Sequence, residues 1–226
     1  MNSVAVVVPT YNEAAVIGTV LDQLLARGHL IVVVDDGSAD ETYGIIRQRP
    51  VVALRHAVNL GQGAALQTGL SYVCGRSDIG FVVTFDSDGQ HLAGDIDALL
   101  RPLREQQCDV ALGSRFLAGA VAENMSRSKR LTLKLAIAAT RVATGLRVTD
   151  VHNGLRAFRI EVARRLNLHH NRMAHASEIL TFISRQRLRY REVPVHIVYT
   201  AYSTRKGQTA FHSLNILWEL LTARLG

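Results

Sequence analysis

Ile79-Gly80-Phe81-Val82-Val83-Thr84-Phe85-Asp86-Ser87-Asp88-Gly89-Gln90-His91 joins an apolar run to an acidic turn, and that junction decides how the rest of the chain is read. Residues 80–85 have the length and the apolar content of a strand buried on both faces. Residues i and i+2 of an extended chain point the same way, so a short bend after the strand aims Asp86 and Asp88 at one hard divalent cation. Two Asp residues also serve simply to turn a chain, so the neighbouring pattern has to decide. A cation held by few protein ligands keeps positions open for a substrate's phosphates. That arrangement points to transfer from a nucleotide-activated donor.

Outward from this stretch the first half alternates regularly. Strand-like residues 4–8, 30–34, 51–54, 80–85 and 110–113 are separated by helical patterns near 13–26, 40–48, 61–73 and 92–105. Apolar strands separated by amphipathic helices predict an α/β fold with a mostly parallel central sheet covered by helices on both faces. Ligands of such sheets collect beyond the carboxyl ends of the strands. Pro9-Thr10-Tyr11-Asn12, Asp35-Asp36-Gly37-Ser38 and Asp86-Ser87-Asp88 all fall there, so one crevice should gather them. An Asp after the second strand suits ribose hydroxyls or a base N–H, and Ser38 suits a helix cap. Beyond residue 114 the pattern predicts a partly helical basic segment at 124–141 and turns with a short strand at 145–159. A helix at 176–184, a strand within 188–199 centred on 193–198, and an apolar helix at 214–221 follow. The simplest division is a single domain over residues 1–226, with 1–113 binding donor and metal and 114–226 binding the acceptor and phosphate.

Composition narrows the class. The chain has 226 residues, 48% hydrophobic and 20% charged, enough to bury a core and unlike a disordered tail. No run reaches the roughly 18 apolar residues of a membrane span. Met1 leads directly into the strand-like residues 4–8 without a secretory signal, which places the expected chain in the cytosol. Cys74 and Cys108 form neither a disulfide framework nor a metal knuckle. The net charge of +7 is split unevenly: residues 1–112 carry 7 Lys and Arg against 13 Asp and Glu, a net −6, whereas residues 113–226 carry 19 against 6, a net +13. An acidic half that gathers a cation and a basic half that meets phosphates suit an enzyme working near an anionic membrane surface. Nucleic acid is not the expected partner, because the basic residues form no compact tract, zinc-finger spacing is absent and aromatics are sparse. Asn59-Leu60-Gly61-Gln62-Gly63 lacks the full dinucleotide fingerprint after the first strand, and no Walker A loop is present.

Seven segments then occur in a specific order. Val7-Val8-Pro9-Thr10-Tyr11-Asn12-Glu13, Val34-Asp35-Asp36-Gly37-Ser38-Ala39-Asp40, Asn59-Leu60-Gly61-Gln62-Gly63-Ala64-Ala65, Asp86-Ser87-Asp88-Gly89-Gln90-His91 and Ala111-Leu112-Gly113-Ser114-Arg115-Phe116 resemble the inverting family-2 glycosyltransferases of the GT-A fold. Asp150-Val151-His152-Asn153-Gly154-Leu155-Arg156-Ala157-Phe158 and Tyr202-Ser203-Thr204-Arg205-Lys206-Gly207-Gln208 narrow the likeness to the branch of dolichol-phosphate mannosyltransferases and bacterial polyprenyl-phosphate sugar transferases. The resemblance implies a nucleotide-diphospho-sugar transferase fold, a Mg2+ or Mn2+ cofactor, a nucleotide diphosphate sugar donor and a polyprenyl phosphate acceptor. It implies Asp86, Asp88 and Gln90 at the metal, and Pro9, Tyr11, Glu13 and Asp36 around the base and ribose, with Asp35 supporting that turn. Arg115, Arg205 and Lys206 are implied as phosphate-binding. Two departures stand out: Gln62 replaces a Lys often found in that loop, and residues 127–134 give no clean match to the acceptor-phosphate pattern, leaving Arg127, Lys129 and Arg130 as alternatives.

The residue types agree with this chemistry. Asp supplies oxygen ligands to a divalent cation, and Arg supplies paired donors to phosphate oxygens. An acceptor phosphate is already ionised near neutral pH and needs no protein base, whereas a sugar hydroxyl needs one, for which Asp150 is the first candidate. Asp150 otherwise orients His152 and Arg156. His91 is expected either at the metal's ligands or behind them, and His169, His170 and His175 show no zinc spacing. Residues 204–221 place Arg205 and Lys206 before an apolar helix containing Trp218. Phosphate binding there, peripheral contact with the cytosolic membrane face and help from an integral membrane partner are the expectations that follow. The competing readings are a transferase extending a glycan at a sugar hydroxyl and a noncatalytic nucleic-acid or membrane-binding module.

Overall fold

The computed structural model describes residues 3–169, 174–200 and 202. Strands β1 (Ser3–Thr10), β2 (Leu30–Asp35), β3 (Val52–Arg55), β4 (Ile79–Thr84) and β5 (Val110–Ser114) are separated by α1 (Ile17–Leu25), α2 (Thr42–Arg47), α3 (Gln62–Cys74) and α4 (Asp95–Arg104). Side chains of β1 alternate between two cores. Val4, Val6 and Val8 pack with Ile17, Leu21 and Leu24 of α1 and Ile96, Leu99 and Leu103 of α4. Ala5 and Val7 face the opposite side, where Leu66, Leu70 and Val73 of α3 cover them. A sheet covered on both faces has no polar face to show, which is why its strands read as continuous apolar runs.

The large sheet has the order β3-β2-β1-β4-β7-β5-β8, with β7 (Arg156–Arg159) and β8 (Tyr190–Pro194) supplied by the second half of the chain. β7 is antiparallel to both β4 and β5, and the other pairings are parallel. This one reversal positions the site. A strand running against its neighbours is entered at the edge where they are left, so the turn before β7 lies beside the turn after β4. Thr84 pairs with Arg156, and Thr84 Oγ1 donates to the Gly154 carbonyl at 2.6 Å.

The expected strand within 188–199 is two strands in two sheets. β8 ends at Pro194, which has no N–H to extend a ladder. Asp95 then takes the chain: its Oδ2 accepts from the His196 backbone N–H at 2.7 Å, and its Oδ1 lies 3.0 Å from His196 Nδ1. β9 (His196–Val198) turns away to pair in parallel with β6 (Val121–Glu123). Helices α5 (Arg127–Thr144), α6 (Ile160–Ala163) and α7 (His175–Arg185) complete the described elements. Cys108 is buried and Cys74 half-buried, both as free thiols. Among the described residues no helix is long and apolar enough to cross a membrane. The expected helix at 214–221, with Trp218, and the Arg205-Lys206 segment lie outside the described residues.

Candidate active site

Asp86 and Asp88 stand just past β4 at the carboxyl edge of the sheet. Asp86 Oδ1 accepts from Gln62 Nε2 at 2.9 Å, and Oδ2 lies 3.3 Å from His91 Nε2. Burial on its own raises the Asp86 pKa. The hydrogen bond and charge of His91, with the fields of His175 and Arg156, outweigh burial and hold the carboxyl below its ordinary value. Asp88 shifts the other way, pushed up by burial and then by the negative charges of Asp86 and Glu13. Gln90 caps Asp88, with its backbone N–H at 3.0 Å from Oδ1 and its Nε2 at 2.6 Å from Oδ2.

This pair fits a hard divalent cation, whose charge would relieve the repulsion that raises Asp88. Among the described residues no group of three His, Cys, Asp or Glu side chains converges as a closed cage. Two carboxylates alone leave coordination positions for substrate oxygens. Beside them a cavity of about 40 Å³ is lined by Gln62, Asp86, His152, Asn153, Arg156 and His175. His91 Nδ1, His152 Nδ1 and Thr10 Oγ1 are buried without a hydrogen-bond partner, polar groups that a bound ligand or water would satisfy.

The loops after β1 and β2 are laced together. Asn12, at φ 53°, donates its backbone N–H to Ser38 Oγ at 2.9 Å, and its Oδ1 accepts from the Ala39 N–H at 2.9 Å. The Glu13 N–H donates to Thr42 Oγ1 at 2.8 Å. Gly37 has φ 71°, and a Cβ there would lie 2.7 Å from the Val58 carbonyl carbon, so the turn admits no side chain. Asp36 accepts from the N–H groups of Leu60 at 2.9 Å and Gly61 at 2.7 Å, and lies 2.7 Å from His56 Nδ1. Its carboxylate therefore fixes the loop that starts α3, and α3 carries Gln62 to Asp86. Asp35 is fully buried, its Oδ1 accepting from the Ser38 N–H at 3.3 Å and its Oδ2 lying 3.0 Å from Arg55 Nε. Tyr11 stands 41% exposed at the crevice, next to buried Glu13. Tyr202 reaches across from the end of the described chain and donates to Glu13 Oε2 at 2.8 Å.

Arg115 and Asp150 form a buried ion pair on the other wall. Arg115 Nε donates to Asp150 Oδ2 at 2.6 Å, one Nη to Tyr199 Oη at 2.5 Å and the other to the His152 carbonyl at 3.2 Å. Burial lowers the Arg115 pKa, but the Asp150 charge and Tyr199 more than restore it, and the guanidinium stays charged. Glu192 holds the Asp150 backbone, accepting from the N–H and Oγ1 of Thr149 at 2.6 and 3.0 Å and from the Asp150 N–H at 3.2 Å. Arg156 is buried with its donors spent on the carbonyls of Asn153, Val151 and Ala176. Burial lowers its pKa to about 10, so it remains a cation beside Asp86.

The sheet edge thus brings Asp86, Asp88, Gln90 and the segments bearing Pro9, Tyr11, Glu13, Asp35 and Asp36 to one crevice, flanked by Arg115 and Asp150. Asp150 does not stand free as a base: its carboxylate is 3% exposed or less and bound to Arg115. Asp150 does orient His152, whose backbone N–H donates to its Oδ1 at 3.3 Å, whereas the Arg156 side chain spends its hydrogen bonds on backbone carbonyls and meets Asp150 only through its charge. Arg130 is exposed on α5, while the side chains of Arg127 and Lys129 fall outside the described set. Gln62, His175, Gly154 and Tyr199 were not singled out as site residues. They reach the site through folding, from α3, α7, the turn before β7 and the end of β9; the Gln-for-Lys departure marks Gln62 and the 150–158 segment contains Gly154, whereas no sequence signal marks His175 or Tyr199.

The chain matches the family described as glycosyl transferase family 2 over residues 5–166. It belongs to that family. The glycosyltransferase is 32% identical, over 97% of its length, to UDP-N-acetylglucosamine–dolichyl-phosphate N-acetylglucosaminyltransferase of Methanococcus voltae and covers 95% of that protein. It is 30% identical over 96% of its length to dolichol-phosphate mannosyltransferase of Pyrococcus furiosus, of which it covers 63%. Among solved structures, glucosyl-3-phosphoglycerate synthase of Mycobacterium tuberculosis, crystallised with Mn2+, UDP and glucosyl-3-phosphoglycerate, matches with a TM-score of 0.71 at 18% identity. That match covers 98% of this chain and 79% of the other, and at such identity the likeness is one of fold, the GT-A α/β fold.

Proposed function

We propose that this glycosyltransferase carries out metal-dependent, inverting transfer of a sugar from a nucleotide diphosphate sugar to polyprenyl phosphate at the cytosolic membrane face, within one domain whose first half binds donor and whose second half binds acceptor. The observation that carries the choice of acceptor is the Asp150–Arg115 pair. The carboxylate that the sequence nominates as base for a sugar hydroxyl is bound instead to a guanidinium. A phosphate acceptor needs no such base, because its second pKa is about 6. The names of the two archaeal relatives, both acting on dolichyl phosphates, support the same choice.

In this reading a phosphate oxygen attacks the anomeric carbon while the bond from that carbon to the diphosphate oxygen breaks. The electron pair leaves with the nucleoside diphosphate, and attack from the opposite face inverts the configuration. Asp86 and Asp88 would hold the Mg2+ or Mn2+ that, when bound, neutralises charge on the departing diphosphate. The Mn2+ and UDP in the mycobacterial structure support divalent metal use. Gln62 and His91 orient Asp86, and Gln90 orients Asp88 through its amide. Pro9, Tyr11 and Glu13 frame the nucleoside, with Asp35 and Asp36 shaping the turn beneath it. Arg115, Arg205 and Lys206 are assigned to phosphate.

The test is turnover with a nucleotide sugar and polyprenyl phosphate across a Mg2+ and Mn2+ titration, with wild type and Asp88→Asn compared at matched folded concentration. Wild-type activity should vanish with chelator and return with metal, while Asp88→Asn should lose at least about a hundredfold in kcat at any metal level. Equal activity of the two proteins across the titration would contradict the metal role.

A further inference from the structure

Helix α5 is apolar on two opposite sides. At about 100° per residue, Leu133, Ala136 and Ile137 share one side, and all three are buried. On the other side Leu131, Leu135 and Val142 are 61%, 58% and 72% exposed, with exposed Ala138 between them. A helix lying on a soluble protein ordinarily turns a polar face outward. Scattered exposed apolar residues need no explanation, but a stripe running most of the length of a helix does.

Charge identifies what covers the stripe. Arg130, Lys134 and Arg141 are exposed along its flank. The whole helix of 18 residues carries five Lys and Arg and no Asp or Glu. A second copy of this chain would bring the same positive charge to the same face and oppose pairing. An apolar stripe edged by cations matches a surface that is apolar within and anionic at its rim, which describes the boundary between lipid acyl chains and acidic headgroups.

We propose that the outer face of α5 docks on an anionic lipid bilayer, with Leu131, Leu135 and Val142 entering the acyl boundary and Arg130, Lys134 and Arg141 meeting headgroup phosphates. This rests on the reading that the acceptor lies in a membrane, and it says which face of the enzyme meets that membrane. α5 follows β6, and the Glu123 carbonyl at the end of β6 accepts from the N–H of Tyr199, whose hydroxyl receives the Arg115 guanidinium. The start of α5 is therefore tied to the acceptor wall of the crevice. A helix lying flat in the headgroup layer holds that wall where a polyprenyl phosphate presents its phosphate.

The experiment is co-sedimentation of the full chain with vesicles of phosphatidylcholine and phosphatidylglycerol that contain no polyprenyl phosphate, so that binding is read apart from transfer. The triple variant Leu131→Ser, Leu135→Ser, Val142→Ser should keep its circular dichroism and thermal transition, because the three side chains are exposed, yet bind these vesicles on the order of a hundredfold more weakly. The pair Arg130→Gln, Lys134→Gln should weaken binding to the mixed vesicles and change little with pure phosphatidylcholine. Transfer to a short, water-soluble polyprenyl phosphate should survive the triple substitution, while transfer to bilayer-embedded acceptor falls. Unchanged vesicle binding by the triple variant would overturn the docking face. So would a shift of the wild type from oligomer to monomer on the triple substitution without any vesicle binding, which would give the stripe to a second copy. If wild type binds vesicles but transfers to no polyprenyl phosphate, the docking face stands and the acceptor reading fails.

Discussion

Gly154 lies so close to Asp86 that a methyl group at residue 154 would overlap both carboxylate oxygens. Gly154→Ala must push Asp86 aside, and a misplacement of about 1 Å in a catalytic group costs on the order of a hundredfold in rate. The expected result is a loss of that size in kcat with the thermal transition nearly kept, measured side by side. His152 offers a separate readout. Burial depresses its pKa from 6.5 to about 4, so between those values the unfolded chain takes up a proton that the folded chain refuses. Its share of stability is complete above pH 6.5 and is lost as pH falls toward 4, by roughly 3 kcal/mol at most. Urea unfolding at pH 7 and pH 5 should show that loss, and His152→Phe should flatten it. At this scale the sequence was legible where chemistry was local. Asp86, Asp88 and Gln90 lie within one short stretch just after β4, so the sequence alone places them together. Gln62 was legible only as a departure from Lys and Gly154 only as a member of the 150–158 segment; that both stand beside Asp86 with His175 depends on how the sheet and its covering helices assemble.

Among elements, the turn before β7 is held by charges that have left water, the buried Arg115 and Asp150. Asp150→Asn leaves the Arg115 guanidinium buried against an amide, and breaking a buried pair in this way costs about 3–5 kcal/mol. Urea denaturation should register that cost, and the double change Arg115→Met, Asp150→Leu should recover much of it. If the single variant proves as stable as wild type, the pair is not the clamp described. The parallel first half was readable because each strand is an apolar run bounded by turn residues and followed by a helical period. β7 was readable as a short strand, but not as one running against its neighbours, since strand direction depends on partners more than 40 residues away in sequence: Ala157 pairs with Val83 and Ala111. The division of 188–199 into β8 and β9 was hidden for a similar reason. The Asp95 carboxylate that turns the chain at His196 comes from α4.

For the whole molecule the −6 and +13 halves are parts of one sheet, because β7 and β8 of the basic half flank β5 of the acidic half. The acidic crevice and the basic surfaces therefore belong to one working unit. Transfer to acceptor embedded in anionic vesicles should weaken as ionic strength rises well above physiological, where the Debye length is about 8 Å, while transfer to a water-soluble short acceptor should respond much less. Matching salt responses for both acceptors would remove electrostatic attraction to the membrane from the account. The central claim is the nature of the acceptor, and product mass reads it most directly. Wild-type enzyme would be incubated with a panel of nucleotide sugars, Mg2+ or Mn2+, and equal amounts of polyprenyl phosphate and oligosaccharide, followed by mass spectrometry of both fractions. The account predicts a polyprenyl phosphate heavier by one sugar residue and an unchanged oligosaccharide; an extended oligosaccharide with unmodified polyprenyl phosphate would contradict it.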